Sequence, residues 1–254
     1  MSRTERAIRT RAIILKRRDF GEADRLLTII TPHHGKRDVI AKGARKPGST
    51  KTGHVELFTC ADMLIHRGRE LDIATQAEMV TPYLPLREDL QRGAYASYVA
   101  ELLDRFTTDG DDDLAGLFDL LADTLESLCT DDDPRLLIRF CEMRLLDDVG
   151  FRPELNECVF THEPIAPEDQ FFSNAEGGVV SPMAARHATA LVNISLNALK
   201  LMRHLQRSRY AQVRELDVSP ALHAEVERIM LGYITYLLER KLQSVDFIRR
   251  VRGG

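Results

Sequence analysis

Eleven cations stand out among the residues that could do chemistry: Arg11, Lys16, Arg17, Arg18, Arg25, Lys36, Arg37, Lys42, Arg45, Lys46 and Lys51. They are densest in residues 33–52. There, six of twenty residues are Lys or Arg (Lys36, Arg37, Lys42, Arg45, Lys46, Lys51), against one acid, Asp38. Ammonium and guanidinium groups at this density bind a polyanion by neutralising phosphates and releasing counterions, so affinity falls steeply with salt. If about six of them act on a single strand, the slope of log K against log salt is roughly −4, at about −0.7 per contact. A lone cation such as Arg3 or Lys51 reads equally well as a solvated surface residue. The cluster of Lys36, Arg37, Lys42, Arg45 and Lys46 reads as a phosphate-binding footprint.

Other chemistry is sparse. Phe20 and Phe58 are the only aromatics in the first eighty residues and the chain has no Trp, so stacking on bases is limited and binding is expected through the backbone. Phe20, in a polar turn beside Arg17 and Arg18, is either a stacking platform or a hairpin plug; Phe58 reads as core. The acidic run Asp109 to Asp113 lacks the ligand order of a calcium loop and reads as a solvated helix cap. His33-His34 reads as part of a turn, and His187, His204 and His223 as helix surface residues. No phosphate-binding G-x-x-x-x-G-K-[ST] loop, G-x-S-x-G elbow or H-E-x-x-H pair occurs. The chain is therefore expected not to be an enzyme. A nuclease using Asp19, Glu22 and Asp24 has no spaced carboxylate pattern to support it.

The basic cluster needs a scaffold, and the periodicity supplies one. Thr10–Lys16 is a β-branched run, and Arg17 to Ala23 is a polar hairpin connection with a Gly. Arg25–Thr31 is a second strand stopped by Pro32, and Gly35 turns the chain into a third, Lys36–Ala41. A mobile basic loop follows. Val55–His66 is a fourth strand, with a bulge expected near Cys60-Ala61. Glu70–Val80 alternates most cleanly and makes a fifth. Five short strands in about eighty residues imply a small barrel, either of the oligonucleotide-binding (OB) type or SH3-like.

The period then changes to helical. Ala94, Tyr95, Tyr98, Val99, Leu102, Leu103 and Phe106 share one face. Leu114–Leu128 is a second helix, and Asp133-Pro134 caps a third that stops at Gly150 with Phe151 as its hydrophobic contact. Ala184–Gln206 and Pro220 to about Lys241 are two more. Residues 154–182 are irregular, and the basic tail 244–254 is expected to be mobile. The fold class is thus α+β: a five-stranded barrel over 1–80, then an all-α domain over 81–243.

Bulk properties agree with a soluble globular chain. It has 254 residues, 44% hydrophobic and 29% charged. It lacks a long apolar run and a signal peptide, so it is expected to be cytoplasmic and off the membrane. The four cysteines, Cys60, Cys129, Cys141 and Cys158, have no C-x-x-C spacing and suit buried, reduced thiols. Residues 1–52 hold 14 basic and five acidic side chains, a net of +9, and the remainder is −13. A basic front and an acidic back imply different partners for the two parts.

The runs Thr10 to Leu15, Phe20 to Leu26 and Gly35 to Pro47 resemble the RecO family of recombination mediators, as do the length and the barrel-then-helices order. That resemblance implies an N-terminal OB barrel and a helical C-terminal domain. It implies binding of single- and double-stranded DNA, annealing of complementary strands, and action with RecR and single-strand-binding protein (SSB) to place RecA on gapped DNA. The alternative is an RNA- or ribosome-associated OB protein with no recombination role. Many relatives carry a four-cysteine zinc site as two C-x-x-C pairs. Here those positions are Cys158, Thr161, Ser181 and Ala184. A closed structural zinc site needs four ligands, so no zinc is expected, and the decayed loop is expected to be held by Phe160, Phe171 and Phe172. A receptor for an acidic SSB tail could be rimmed by Arg135, Arg139 and Arg144 or by Lys200, Arg203 and Arg207. Both sets read first as ordinary exposed helix charges.

Overall fold

A computed structural model describes residues 7–49 and 52–252. Its first strands are β1 (Ala7–Phe20), β2 (Asp24–Ile30), β3 (Lys36–Ala41), β4 (Cys60–His66) and β5 (Asp72–Thr81). They close into a barrel in the order β1-β2-β3-β5-β4. β1 serves two neighbours: Ala7–Ile13 pairs antiparallel with β4, and Ile13–Phe20 pairs antiparallel with β2, with a register shift between Ile14 and Lys16 where the strand changes partner. β3 runs parallel to β5. That closure is the OB arrangement, and it decides between the two barrels left open by the strand count.

Alternation explains the interior. Ile8, Ala12, Ile14, Leu27, Ile29, Val39, Ala41, Met63, Ile65 and Ala74 form the barrel core. Burying each larger side chain contributes about 1.5–3 kcal/mol. The fourth strand starts at Cys60 rather than Val55, because Phe58 adopts φ +66° and Thr59 N–H closes a turn onto the Glu56 carbonyl at 3.2 Å. The expected bulge is present as a register shift between Cys60 and Ala61 against β5.

Helices α1 (Pro85–Glu88), α2 (Leu90–Phe106) and α3 (Ala115–Thr130) share a compact unit with the barrel. Asp89 caps α2 by accepting the Arg92 N–H at 2.9 Å. The face set by Tyr95, Tyr98, Val99, Leu102 and Leu103 is buried. The expected mobile tail is instead a helix, α8 (Gln243–Arg252), in this same unit. The reason is a distant carboxylate. Glu101 accepts the N–H groups of Gln243 (3.1 Å) and Ser244 (2.8 Å) and the Ser244 hydroxyl (2.6 Å), so it satisfies the orphan donors that begin α8. Ile248 is buried, and the Arg252 guanidinium stacks 5.3 Å from the Tyr95 ring centroid while donating to its hydroxyl at 2.9 Å.

The second unit, Asp132–Leu242, holds α4 (Pro134–Asp148), a small sheet, and helices α5 (Leu196–Arg207), α6 (Tyr210–Val213) and α7 (Pro220–Leu238). Asp133 caps α4 with Pro134 at its first position, as the sequence implies. Gly150 at φ +81° ends it, with Phe151 N–H on Leu146 O (2.7 Å) and Gly150 N–H on Asp147 O (3.2 Å). Phe151 is 46% exposed, and its carbonyl accepts the Tyr233 hydroxyl at 3.1 Å.

The stretch expected to be irregular contains β6 (Gln170–Ser173) and β7 (Gly178–Val180). With β8 (Leu191–Ile194) they form an antiparallel sheet in the order β7-β6-β8. The helix expected over 184–206 therefore begins only at Leu196. Ser195 caps it by accepting the Ala198 N–H, and Glu225 of α7 holds Ser195 in turn (2.7 and 2.8 Å).

Candidate nucleic-acid interface

The basic run spans the barrel: Lys36 and Arg37 pair with Ile30 and Ile29 beside the β2–β3 turn, and the residues after Ala41 sit at the opposite end, where β1 turns into β2. Pairing places Arg18 opposite Leu26, Phe20 opposite Asp24, and Arg25 opposite Ala41. The segment after Ala41 is not a free loop. It is a chain of turns, with Lys46 N–H on Gly43 O (3.1 Å) and Ser49 N–H on Lys46 O (3.0 Å). The hairpin tip pins it, because Asp24 accepts the Gly43 N–H at 2.7 Å and the Ala23 carbonyl accepts the Arg45 N–H at 2.9 Å. Ala44 is wholly buried in the barrel core, so the turn plugs the barrel with a methyl group and turns its flanking cations outward.

The predicted cations separate into two kinds. Lys36 donates to the carbonyls of Asp104 (2.7 Å) and Thr107 (2.8 Å) and lies 3.5 Å from the Asp104 carboxylate, with its side chain only 13% exposed. Arg37 bridges Asp72 at 3.0 Å and the His34 carbonyl at 2.7 Å. Arg25 and Arg17 both meet Glu56, Arg25 at 2.8 Å. Lys16 also reaches Asp104, yet its side chain remains 52% exposed. Arg11 forms a two-point bridge to Asp62 (3.0 and 3.3 Å) on the open outer face; that hydrogen bond and charge raise its pKa further.

Arg45 is exposed and, among the described residues, its guanidinium meets Asp19 at 3.3 Å and the Gly21 carbonyl at 3.4 Å. Arg18, Lys42 and Lys46 are exposed and make no ion pair among the described residues. Lys51 lies outside the described residues. An open cleft of about 460 Å³ adjoins this end, its walls including Lys16, Arg18, Leu26, Thr28 and Asp104. Phe20 is 41% exposed at the hairpin tip, whereas Phe58 is core.

The counter-ions Asp104, Glu56 and Asp72 are what sequence reasoning missed. They stand 88, 39 and 35 residues from Lys16, Arg17 and Arg37, and no local spacing reports such a pair. The His turn is as read: His34 N–H bonds the Thr31 hydroxyl at 3.1 Å, and His33 lies 3.8 Å from Asp113. Gly35, at φ +69°, lets the Asp111 carbonyl approach to where a side chain would stand 2.4 Å away.

The helical cations divide similarly. Arg135 bridges Asp133 (2.6 Å), Arg139 bridges the fully buried Glu142 (2.8 Å), and Arg144 donates to the Ser208 carbonyl and stacks on Phe140, so these three build no common rim. His223, expected on the surface, is buried; that burial and the neighbouring Arg135 depress its pKa.

Cys158, Thr161, Ser181 and Ala184 do come together, around one sulfur. Cys158 packs with Val180 and Ala184, with Phe171 against them, and its Sγ accepts the Ser181 N–H at 3.4 Å. Burial pushes the Cys158 thiol up, yet hydrogen bonds from the Ser181 and Phe160 backbone and from Thr161 outweigh it and bring it down to about 6. Phe172 is fully buried, but Phe160 is 43% exposed and does not hold the segment as expected. One thiol among Thr, Ser and Ala does not fit a four-ligand zinc site. Among the described residues no group of three or more His, Cys, Asp or Glu converges as a metal site.

Comparison with known proteins bears on both units. Residues 1–83 match the family model "Recombination protein O N terminal", and residues 87–246 match "Recombination protein O C terminal". The chain is 39% identical to the DNA repair protein RecO of Roseiflexus sp. over 98% of its own length and 87% of that relative. It is 33% identical to the protein of that name from Desulforamulus reducens, covering 94% and 93%. For Pelotomaculum thermopropionicum the identity is 36%, covering 94% and 92%.

Proposed function

This chain belongs to the RecO family of DNA repair and recombination proteins, and from that premise we propose that its OB barrel binds single- and double-stranded DNA through the phosphate backbone and anneals complementary strands. The carrying observation is the group of uncommitted cations at one barrel end, Arg18, Lys42 and Lys46, with Arg45 only weakly held. Two strands repel each other; a surface of fixed positive charge offsets that repulsion and lets base pairs form between them. Lys36, Arg37 and Arg25 act as positioning groups, because their charge is already answered within the fold. Charge and surface suffice for this activity and no bond is broken, so the protein acts as a mediator rather than an enzyme. RecR and SSB are the partners that fit this role, with RecA loaded on gapped DNA as the outcome.

The test is annealing of two complementary oligonucleotides by the purified chain, without nucleotide or added metal, across a salt series. The barrel's expected contribution to the slope of log K against log salt on a single strand is about −3, for about four contacts. A slope near −8, as if all eleven cations took part, contradicts this assignment. Binding without annealing reduces the proposal to plain polyanion binding, as for an RNA-associated OB protein. We also propose that no structural zinc is held at Cys158. Metal analysis of the purified protein should find well under about 0.1 zinc per chain, since a closed site needs four ligands.

A further inference from the structure

The second unit has a basic face of its own. Residues 196–214, which form α5 and α6, contain Lys200, Arg203, Arg207, Arg209 and Arg214 and no acid. The rest of that unit carries 8 basic and 16 acidic residues, so this stretch departs from its surroundings as sharply as residues 33–52 do from theirs.

The structure keeps these charges outward. Lys200, Arg207, Arg209 and Arg214 are exposed, and Lys200, Arg207 and Arg209 make no ion pair among the described residues. Arg203 is set by donating to the Leu155 carbonyl at 2.8 Å, and Arg144 of α4 is drawn to the α5–α6 junction by the Ser208 carbonyl. Lys200, Arg203 and Arg207 follow at i, i+3 and i+7 along one helix face. They span about 10 Å, the reach of about three phosphates along one strand of a duplex.

We propose that α5 and α6 form a second phosphate-backbone surface for DNA, separate from the barrel site, so that one chain has a footprint for each of two strands. This rests on the DNA-binding reading above. A nucleic acid fits better than an acidic peptide that docks through an apolar anchor, because these helices offer no apolar site for one. Ala198, Leu199, Leu201, Met202 and Leu205 of α5 are buried, Leu196 is half-buried, and α5 and α6 contribute none of the exposed large hydrophobics.

The experiment uses the full chain, a fluorescent oligo(dT), a labelled duplex and a labelled polyglutamate peptide. The variant carries Lys200→Ala, Arg207→Ala and Arg209→Ala, all exposed positions. On the single strand the salt slope should become shallower by about 2, at about 0.7 per contact. Photo-crosslinks from a bromodeoxyuridine oligonucleotide should map to 196–214 in the unmodified chain. DNA binding with an unchanged slope, and crosslinks confined to the barrel, overturns this inference and leaves the proposed function standing. The same result joined to loss of polyglutamate binding overturns it in favour of an acidic protein partner. A flattened slope here, with no effect of substituting Arg18, Lys42 and Lys46, supports this surface and removes the barrel assignment. Failure of the unmodified chain to bind DNA overturns both.

Discussion

Lys36 and Lys42 belong to one basic run, yet they do different work. Lys36 lies in β3, where its ammonium reaches two carbonyls and a carboxylate at the end of α2. Lys42 lies just past that strand, in a turn whose backbone is held by the β1–β2 tip while its side chain points to solvent. Lys36 is surrounded by neighbours that supply acceptors, whereas the turn plugged by Ala44 turns its flanking cations away from the body; Arg18, although in β1, is exposed as they are. Charge density along the chain is therefore a poor measure of charge available to a ligand.

The comparison is sharpened first by removing the buried member. Lys36→Met strips donors from partly buried acceptors and should cost about 3 kcal/mol of stability, at about 1–3 for each unanswered polar group, read as a lower urea midpoint. The salt slope of DNA binding should stay where it was; a flattened slope would show that Lys36 leaves Asp104 to contact phosphate.

The converse variant, Arg18→Ala with Lys42→Ala and Lys46→Ala, should flatten the single-strand slope by about 2. That weakens binding about a hundredfold at 0.1 M salt, relative to 1 M. Stability should move by no more than about 0.5 kcal/mol. A large loss of stability instead would break the distinction between the two kinds of cation.

Arg45 stands between them, with an exposed bridge to Asp19. Arg45→Ala should cost under about 1 kcal/mol of stability and flatten the slope by about 0.7. Smallest of all is Arg11→Ala. Its bridge to Asp62 is half exposed on both sides, so its loss should stay within about 0.5 kcal/mol, and DNA affinity should fall by one contact at most.

Much of the fold was legible because its signals are local. Alternation located all five barrel strands, Asp133-Pro134 and Gly150 marked both ends of α4, and the spacing from Ala94 to Leu103 gave the buried face of α2. The errors share one physical cause. Residues 244–252 read as a loose tail because their cap, Glu101, is more than 140 residues away. Residues 184–206 read as one helix because β8 exists only by pairing with β6. At the candidate site, the position of every described cation was readable, but its partner was not.

The sequence by itself determined the barrel, the capped helices and the family resemblance, since each depends on residue types at short spacing. Only the tertiary structure decided which cations are answered by carboxylates and which are free, and that the tail becomes α8. It also decided that Cys158 sits in a small apolar cluster. Those outcomes depend on Asp104, Glu56, Glu101 and Val180 arriving from elsewhere in the chain. An ion pair or a helix cap acts through distance in space, and short sequence spacing carries no record of it.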